Sequence, residues 1–118
     1  MTAQGLKAKR KQEEKNYRFP DYMENKEHTL INFFQDIESD NRITTAHISL
    51  YVSLWKRWNE LQPGQCLIIF SYEVMPVCKI SSYSTYHKII RQLNEYRYIK
   101  YTPSYNHYSG SMIEFNHK

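Results

Sequence analysis

Ser82-Tyr83-Ser84-Thr85-Tyr86-His87-Lys88, with Arg91 close behind, gathers hydroxyls, an imidazole and two cations into one short stretch. Serine and threonine hydroxyls donate to phosphate oxygens or to base edges, and arginine and lysine reach the same acceptors with a full charge. Arg97 and Lys100 follow, and then Tyr105, His107 and Tyr108 within a polar segment. Seven of the eleven tyrosines fall between Tyr83 and Tyr108, so phenol hydroxyls stand beside the cations. Such a collection is a donor surface for a polyanion.

The elements that must position these residues are readable from spacing. Tyr86, Ile89, Ile90 and Leu93 recur at three and four residues, which predicts an amphipathic helix over 82–95. Tyr83, Thr85, His87, Lys88 and Arg91 are then left facing outward or to the side. Ser81 or Ser82 caps this helix, with Ser84 or Thr85 supplying a second hydroxyl to its first turn. The helix N-terminus adds its own partial positive charge. Tyr98-Ile99-Lys100-Tyr101 and 111–115 read as strands joined by the Gly-containing loop 102–110. Upstream, Ser71 is a candidate N-cap for a short helix over 72–77, with Pro76 removing one backbone donor inside it. The apolar run 66–70 reads as a small strand or a buried extended segment.

Further back, Leu30, Ile31, Phe33, Phe34 and Ile37 predict a helix over 27–38, and Ser39-Asp40-Asn41 a turn. A longer helix begins at a Thr44 or Thr45 cap and carries Ala46, Ile48, Leu50, Tyr51, Leu54, Trp55, Trp58 and Leu61 before Pro63-Gly64 stops it. Its tryptophans are expected to pack against neighbouring helices. Residues 1–18 read as a flexible basic arm and 19–118 as one domain, with the aromatics of Tyr17-Arg18-Phe19-Pro20 laid onto it.

Charge is distributed in blocks. Residues 1–18 hold six Lys/Arg against two Glu, residues 19–78 four against eight acids, and residues 79–118 six against two. Basic ends around an acidic middle suit polyanion binding by the ends. At 118 residues the chain has room for one modest core. No run approaches the ~20 apolar residues of a membrane span, and the polar N-terminus does not resemble a secretory signal. Cys66 and Cys78 make no disulfide framework, which points to a reducing cytoplasm. Nor do they form a CxxC pair, so no structural metal with His87 and His107 is expected. With three glycines and no nucleophile elbow, phosphate-cradling loops and hydrolase chemistry are set aside. The expectation is a protein that is not an enzyme and needs no cofactor.

Taken with Gln92-Leu93-Asn94-Glu95, Tyr98-Ile99-Lys100-Tyr101 and Pro103-Ser104-Tyr105, the stretch from Ser82 to Lys88 resembles the winged helix-turn-helix transcription regulators common among bacterial mobile elements. Residues 48–59 are similar to the helix that precedes the helix-turn-helix in these proteins and in plasmid replication-initiator domains. The resemblance covers roughly residues 43–115. It implies an α+β winged helix: a helical N-terminal half, a helix-turn-helix and a two-stranded wing. It implies sequence-specific binding of double-stranded DNA, with helix 82–95 in the major groove and wing 102–110 on the backbone. The implied contacts are Ser82, Tyr83, Ser84, Thr85, His87, Lys88, Arg91, Arg97, Lys100, Tyr105, His107 and Tyr108. A homodimer through helices 27–38 and 45–61 would read paired half-sites in the bacterial nucleoid. Two roles stand beside that of regulator. One is an accessory factor that excises or replicates a mobile element alongside a recombinase or replication protein. The other is a protein-interaction module. The chain departs from the family pattern at Arg97, where a glycine is usual, and at Pro76 in the first helix of the motif.

Overall fold

Asn25 opens the first helix by accepting the His28 N–H on its side-chain oxygen at 3.0 Å, an ordinary asparagine cap. The computed structural model describes residues 25–106 and 108–116, so residues 1–18, the aromatic segment 17–20 and His107 lie outside the described residues. Four helices and a three-stranded antiparallel sheet make up the rest: α1 (Lys26–Ile37), α2 (Thr45–Asn59), β1 (Leu67–Ile69), α3 (Ser71–Cys78), α4 (Tyr83–Glu95), β2 (Ile99–Thr102) and β3 (Ser111–Phe115). The class is therefore α+β. Among the described residues no helix is long and apolar enough to cross a membrane.

α1 and α2 form an antiparallel pair, tied directly at one end and fastened at the other through the turn between them. At one end Lys26 Nζ donates to the carbonyls of Trp58 (2.7 Å) and Leu61 (3.0 Å). The Trp58 carbonyl also accepts the Leu61 N–H at 3.1 Å, so the Lys26 cation adds a second donor at the negative end of the α2 dipole. Trp55 Nε1 donates back to the Lys26 carbonyl at 2.7 Å. Between these ends an aromatic chain crosses the core. Phe33 stacks on Tyr51 at 3.6 Å, Tyr51 meets Phe115 edge-on at 5.3 Å, and Phe115 stacks on Trp58 at 4.5 Å. Trp58 is buried and Trp55 half-buried, as the packing role expected of them requires.

At the other end Asp40 is the clasp. Its carboxylate accepts from Arg42 Nε and an Arg42 terminal nitrogen, both at 2.8 Å, and from the Tyr98 hydroxyl at 2.6 Å. Arg42 in turn lies 4.0 Å over the Tyr96 ring. The turn before α2 is thus fastened to the segment that leaves α4.

The sheet runs β1-β3-β2, with Leu67 opposite Ile113 and Ile99 opposite Phe115. Alternation places Leu67, Ile69, Ile99, Ile113 and Phe115 on the buried face, and Ile68, Lys100 and Glu114 on the exposed one. The expected two-stranded wing is thereby extended, since the 66–70 run pairs with β3 as a third strand. A second difference concerns α3, whose N-cap is Phe70 and not Ser71. Pro76 sits within the eight residues of α3, exposed to solvent, and the helix continues past it to Cys78.

Two outcomes follow from the Asp40 clasp. Tyr98→Phe removes one donor to a charged acceptor, and a loss of ~1–2 kcal/mol in urea-unfolding stability is expected. The hydrogen bonds of Arg42 and then Tyr98 hold the Asp40 carboxyl well below the usual carboxylate range. Its contribution is accordingly complete above the unfolded value of about 4 and fades as pH falls below that. Unfolding midpoints at pH 7 and pH 3 should therefore differ less in Asp40→Asn than in the wild type.

Candidate nucleic-acid interface

α4 is set in place by its apolar side. Tyr86, Ile89, Ile90 and Leu93 are buried, against α2 among others, as their spacing predicts. One polar contact adds a directional hold. His47, only 3% exposed in the first turn of α2, places Nε2 2.8 Å from Gln92 Oε1 on α4. Its Nδ1 accepts the Thr44 backbone N–H at 3.0 Å, which leaves the ring proton on Nε2 to donate to Gln92. Burial pushes the imidazole pKa down, in keeping with this neutral tautomer.

The ends of α4 are equally defined. Ser82 is the N-cap and accepts the Thr85 N–H at 3.3 Å, so Ser81 does not serve. Ser84 Oγ lies 3.1 Å from Ser82 Oγ. At the C-terminus the Arg97 N–H donates to the Asn94 carbonyl (3.1 Å) and the Tyr98 N–H to the Leu93 carbonyl (3.0 Å). This is the paired Schellman closure, and it demands a left-handed residue, which Arg97 supplies at φ +68°. The helix exit expected of a glycine is made by an arginine under strain. Lys79, at φ +63°, makes the turn between α3 and α4 in the same way. No glycine marks that turn, so sequence gave no signal of its backbone.

With its inner side committed, α4 leaves Tyr83, Ser84, Thr85, Lys88 and Arg91 exposed on one surface beside Ser82. Neither Lys88 nor Arg91 is held in an ion pair among the described residues. The β2–β3 loop stands near this surface. Tyr105 and Tyr108 are almost wholly exposed at 100% and 92%. Asn106 organises the loop: its N–H donates to Ser104 Oγ (3.1 Å) and its side chain accepts the Tyr108 N–H (3.0 Å). The loop closes onto β1 at Gly110, φ +69°, where a Cβ would fall 2.7 Å from Ile68 Cγ2 and 3.0 Å from the Ile69 carbonyl.

Three expected contacts sit differently. His87 does not face outward. It is half-buried, its Nε2 is sealed from water, and Tyr83 meets its ring at 4.2 Å between centroids. The cause is position on the helix, which turns the imidazole toward the cleft between α4 and the loop. Lys100 belongs to the exposed face of the sheet, opposite the helices, 3.6 Å from Glu114. Arg97 lies past the C-terminus of α4, roughly 20 Å along the helix axis from Ser82. His107 lies outside the described residues. The structure thus brings together Ser82, Tyr83, Ser84, Thr85, Lys88 and Arg91, with Tyr105 and Tyr108 on the adjoining loop. Lys79 joins them as an exposed cation just ahead of the cap, visible in the sequence only as a basic residue beside serines.

Between α4, the start of α3 and the loop lies a cleft of about 300 Å³ lined by Tyr83, His87, Arg91, Ser71, Tyr101 and Ser104, among others. Among the described residues no three His, Cys, Asp or Glu side chains converge as a metal site requires. Cys66 is exposed and Cys78 buried. Compared with protein families, with curated proteins and with solved structures, the chain finds no match.

The strained exit of α4 gives a prediction that separates structure from binding. Arg97→Gly relieves a left-handed residue and should raise unfolding stability by up to ~1 kcal/mol. A loss of stability on thermal or urea unfolding would show that the arginine side chain contributes more than its backbone costs.

Proposed function

We propose that the chain is a winged-helix protein that binds double-stranded DNA, with α4 entering the major groove and the 102–110 loop lying along the flanking backbone. The observation that carries this reading is the uncommitted face of α4. Its hydroxyls and cations are exposed, Lys88 and Arg91 are in no ion pair among the described residues, and all are presented on a helix packed into the core. Groove recognition needs that combination, because donors on a fixed helix pay less to be ordered than donors on a loop. The element order α2-β1-α3-α4-β2-β3 and the sheet order β1-β3-β2 support the winged-helix assignment. Transcriptional regulation is the role proposed, with catalysis no part of it.

One observation favours a second role beside it. Tyr72, Met75 and Pro76 of α3 line an open, mainly apolar groove together with Ile80 and Ser81, just ahead of α4, and Tyr72 is 70% exposed. An apolar patch adjoining a DNA-reading helix suits an accessory factor that holds a recombinase or replication protein on the same site. For a homodimer, Ile31 (52% exposed) and Phe34 (43%) on α1 are the available apolar residues, because Leu50, Leu54 and Trp58 of α2 are used in the core.

Fluorescence anisotropy with a selected duplex tests the reading. Lys88→Ala and Arg91→Ala should each weaken binding by ~1–3 kcal/mol. The logarithm of the affinity should also fall steeply and linearly with the logarithm of salt concentration. If both variants bind as the wild type does, α4 is not the reading helix. Dimerisation through α1 is checked separately by light scattering at micromolar concentration, where Phe34→Glu should convert a dimer mass to a monomer mass.

A further inference from the structure

His87 is the one side chain in the described residues with a polar atom that is both buried and without a partner. Tyr83 and Tyr86 hold its ring edge-on, at 4.2 and 5.3 Å between centroids. Buried polar nitrogens are nearly always hydrogen-bonded, because lost hydration must be replaced. Here the replacement is missing from the protein, and the residue lines the cleft between α4 and the loop. Arg91, one turn further along α4, lines the same cleft and is in no ion pair among the described residues. The far wall begins at Ser71, in the first turn of α3, whose N-cap Phe70 has no side chain to accept the amides there. None of the described residues lining the cleft is acidic. The titratable and charged groups that face His87 are Arg91, Tyr83 and Tyr86 from α4, Tyr72 from α3 and Tyr101 from β2.

We infer that this cleft seats one phosphate group, gripped by Arg91 and by His87, and that the His87 ring takes a proton from solvent as the phosphate enters. The inference rests on the DNA-binding reading for the source of the phosphate, a backbone phosphodiester of the duplex. Seating the anion requires the ring to turn about its Cβ–Cγ bond so that Nε2, buried in the free protein, meets it. In the free protein, burial and then the Arg91 charge push the imidazole pKa down, so the ring is neutral near pH 7. A phosphate against the ring acts in the opposite direction and favours imidazolium. Because the bound pKa lies above the free one, proton uptake accompanies binding, and affinity rises as pH falls from 8 to 6.

Imidazole NMR of the full chain, alone, with saturating selected duplex and with inorganic phosphate, tests this. The expected result is a His87 pKa raised by about one unit with the duplex, equivalent to roughly tenfold tighter binding to the protonated form. His87→Gln should remove that part of the pH dependence of duplex affinity. Arg91→Gln, at an exposed position, should shrink the His87 shift without unfolding the protein. If the amides of Ser84 and Lys88 respond to duplex while the His87 titration stays unchanged, the cleft holds no phosphate and the DNA reading survives alone. If no amide responds to duplex, the DNA reading fails instead. In that case a His87 shift with inorganic phosphate reassigns the cleft to a free anion, and no shift removes the seat.

Discussion

Burial of Tyr86, Ile89, Ile90 and Leu93 decides what every other residue of α4 can do. Ile90 and Leu93 are wholly enclosed, as are Leu50 and Leu54 of α2. Truncating such a side chain to alanine typically costs ~2–5 kcal/mol, a large share of the stability of a small domain. The helix therefore cannot rotate about its axis to any useful degree. A rotation that buried Lys88 would have to expose Ile89 and desolvate a cation at once. The hydroxyl and cation face is outward because the apolar face has only one place to go.

Polar contacts between distant segments then sharpen that orientation. His47 to Gln92 ties the start of α2 to the last turns of α4, and Asp40 to Tyr98 ties the turn before α2 to the exit of α4. Both pairs join the α1–α2 scaffold to the α4–β2 unit. Two strained backbone positions lie at the boundaries of α4, Lys79 before it and Arg97 after it. A left-handed arginine and a left-handed lysine are each disfavoured against glycine.

Periodicity made the helices legible because each buries one stripe. Leu30, Phe33 and Ile37, and likewise Tyr86, Ile90 and Leu93, announce their faces at spacings of three and four. The left-handed exit at Arg97 was not legible from the residue itself: the family pattern expects glycine there, and arginine argued against the conformation that the structure shows at φ +68°. The pairing of β1 with β3 was not legible either, because a run of three residues carries no register of its own. Nor were the Asp40–Tyr98 and His47–Gln92 contacts, which join residues far apart in sequence and leave no periodic trace. His87 shows the limit most clearly. Helical spacing places it between the buried stripe and the exposed face, and only the position of the loop and of Tyr83 turns it inward.

The proposed function joins these strands: a core that fixes one helix, an exposed face of that helix whose cations are in no ion pair among the described residues, and a polar loop beside it. Selection of bound sequences from a random duplex library tests it most directly. Repeated rounds should converge on a defined site, and the Lys88→Ala variant should recover a different or degraded consensus. Failure of any sequence to enrich, with the wild type folded and the library intact, would contradict it.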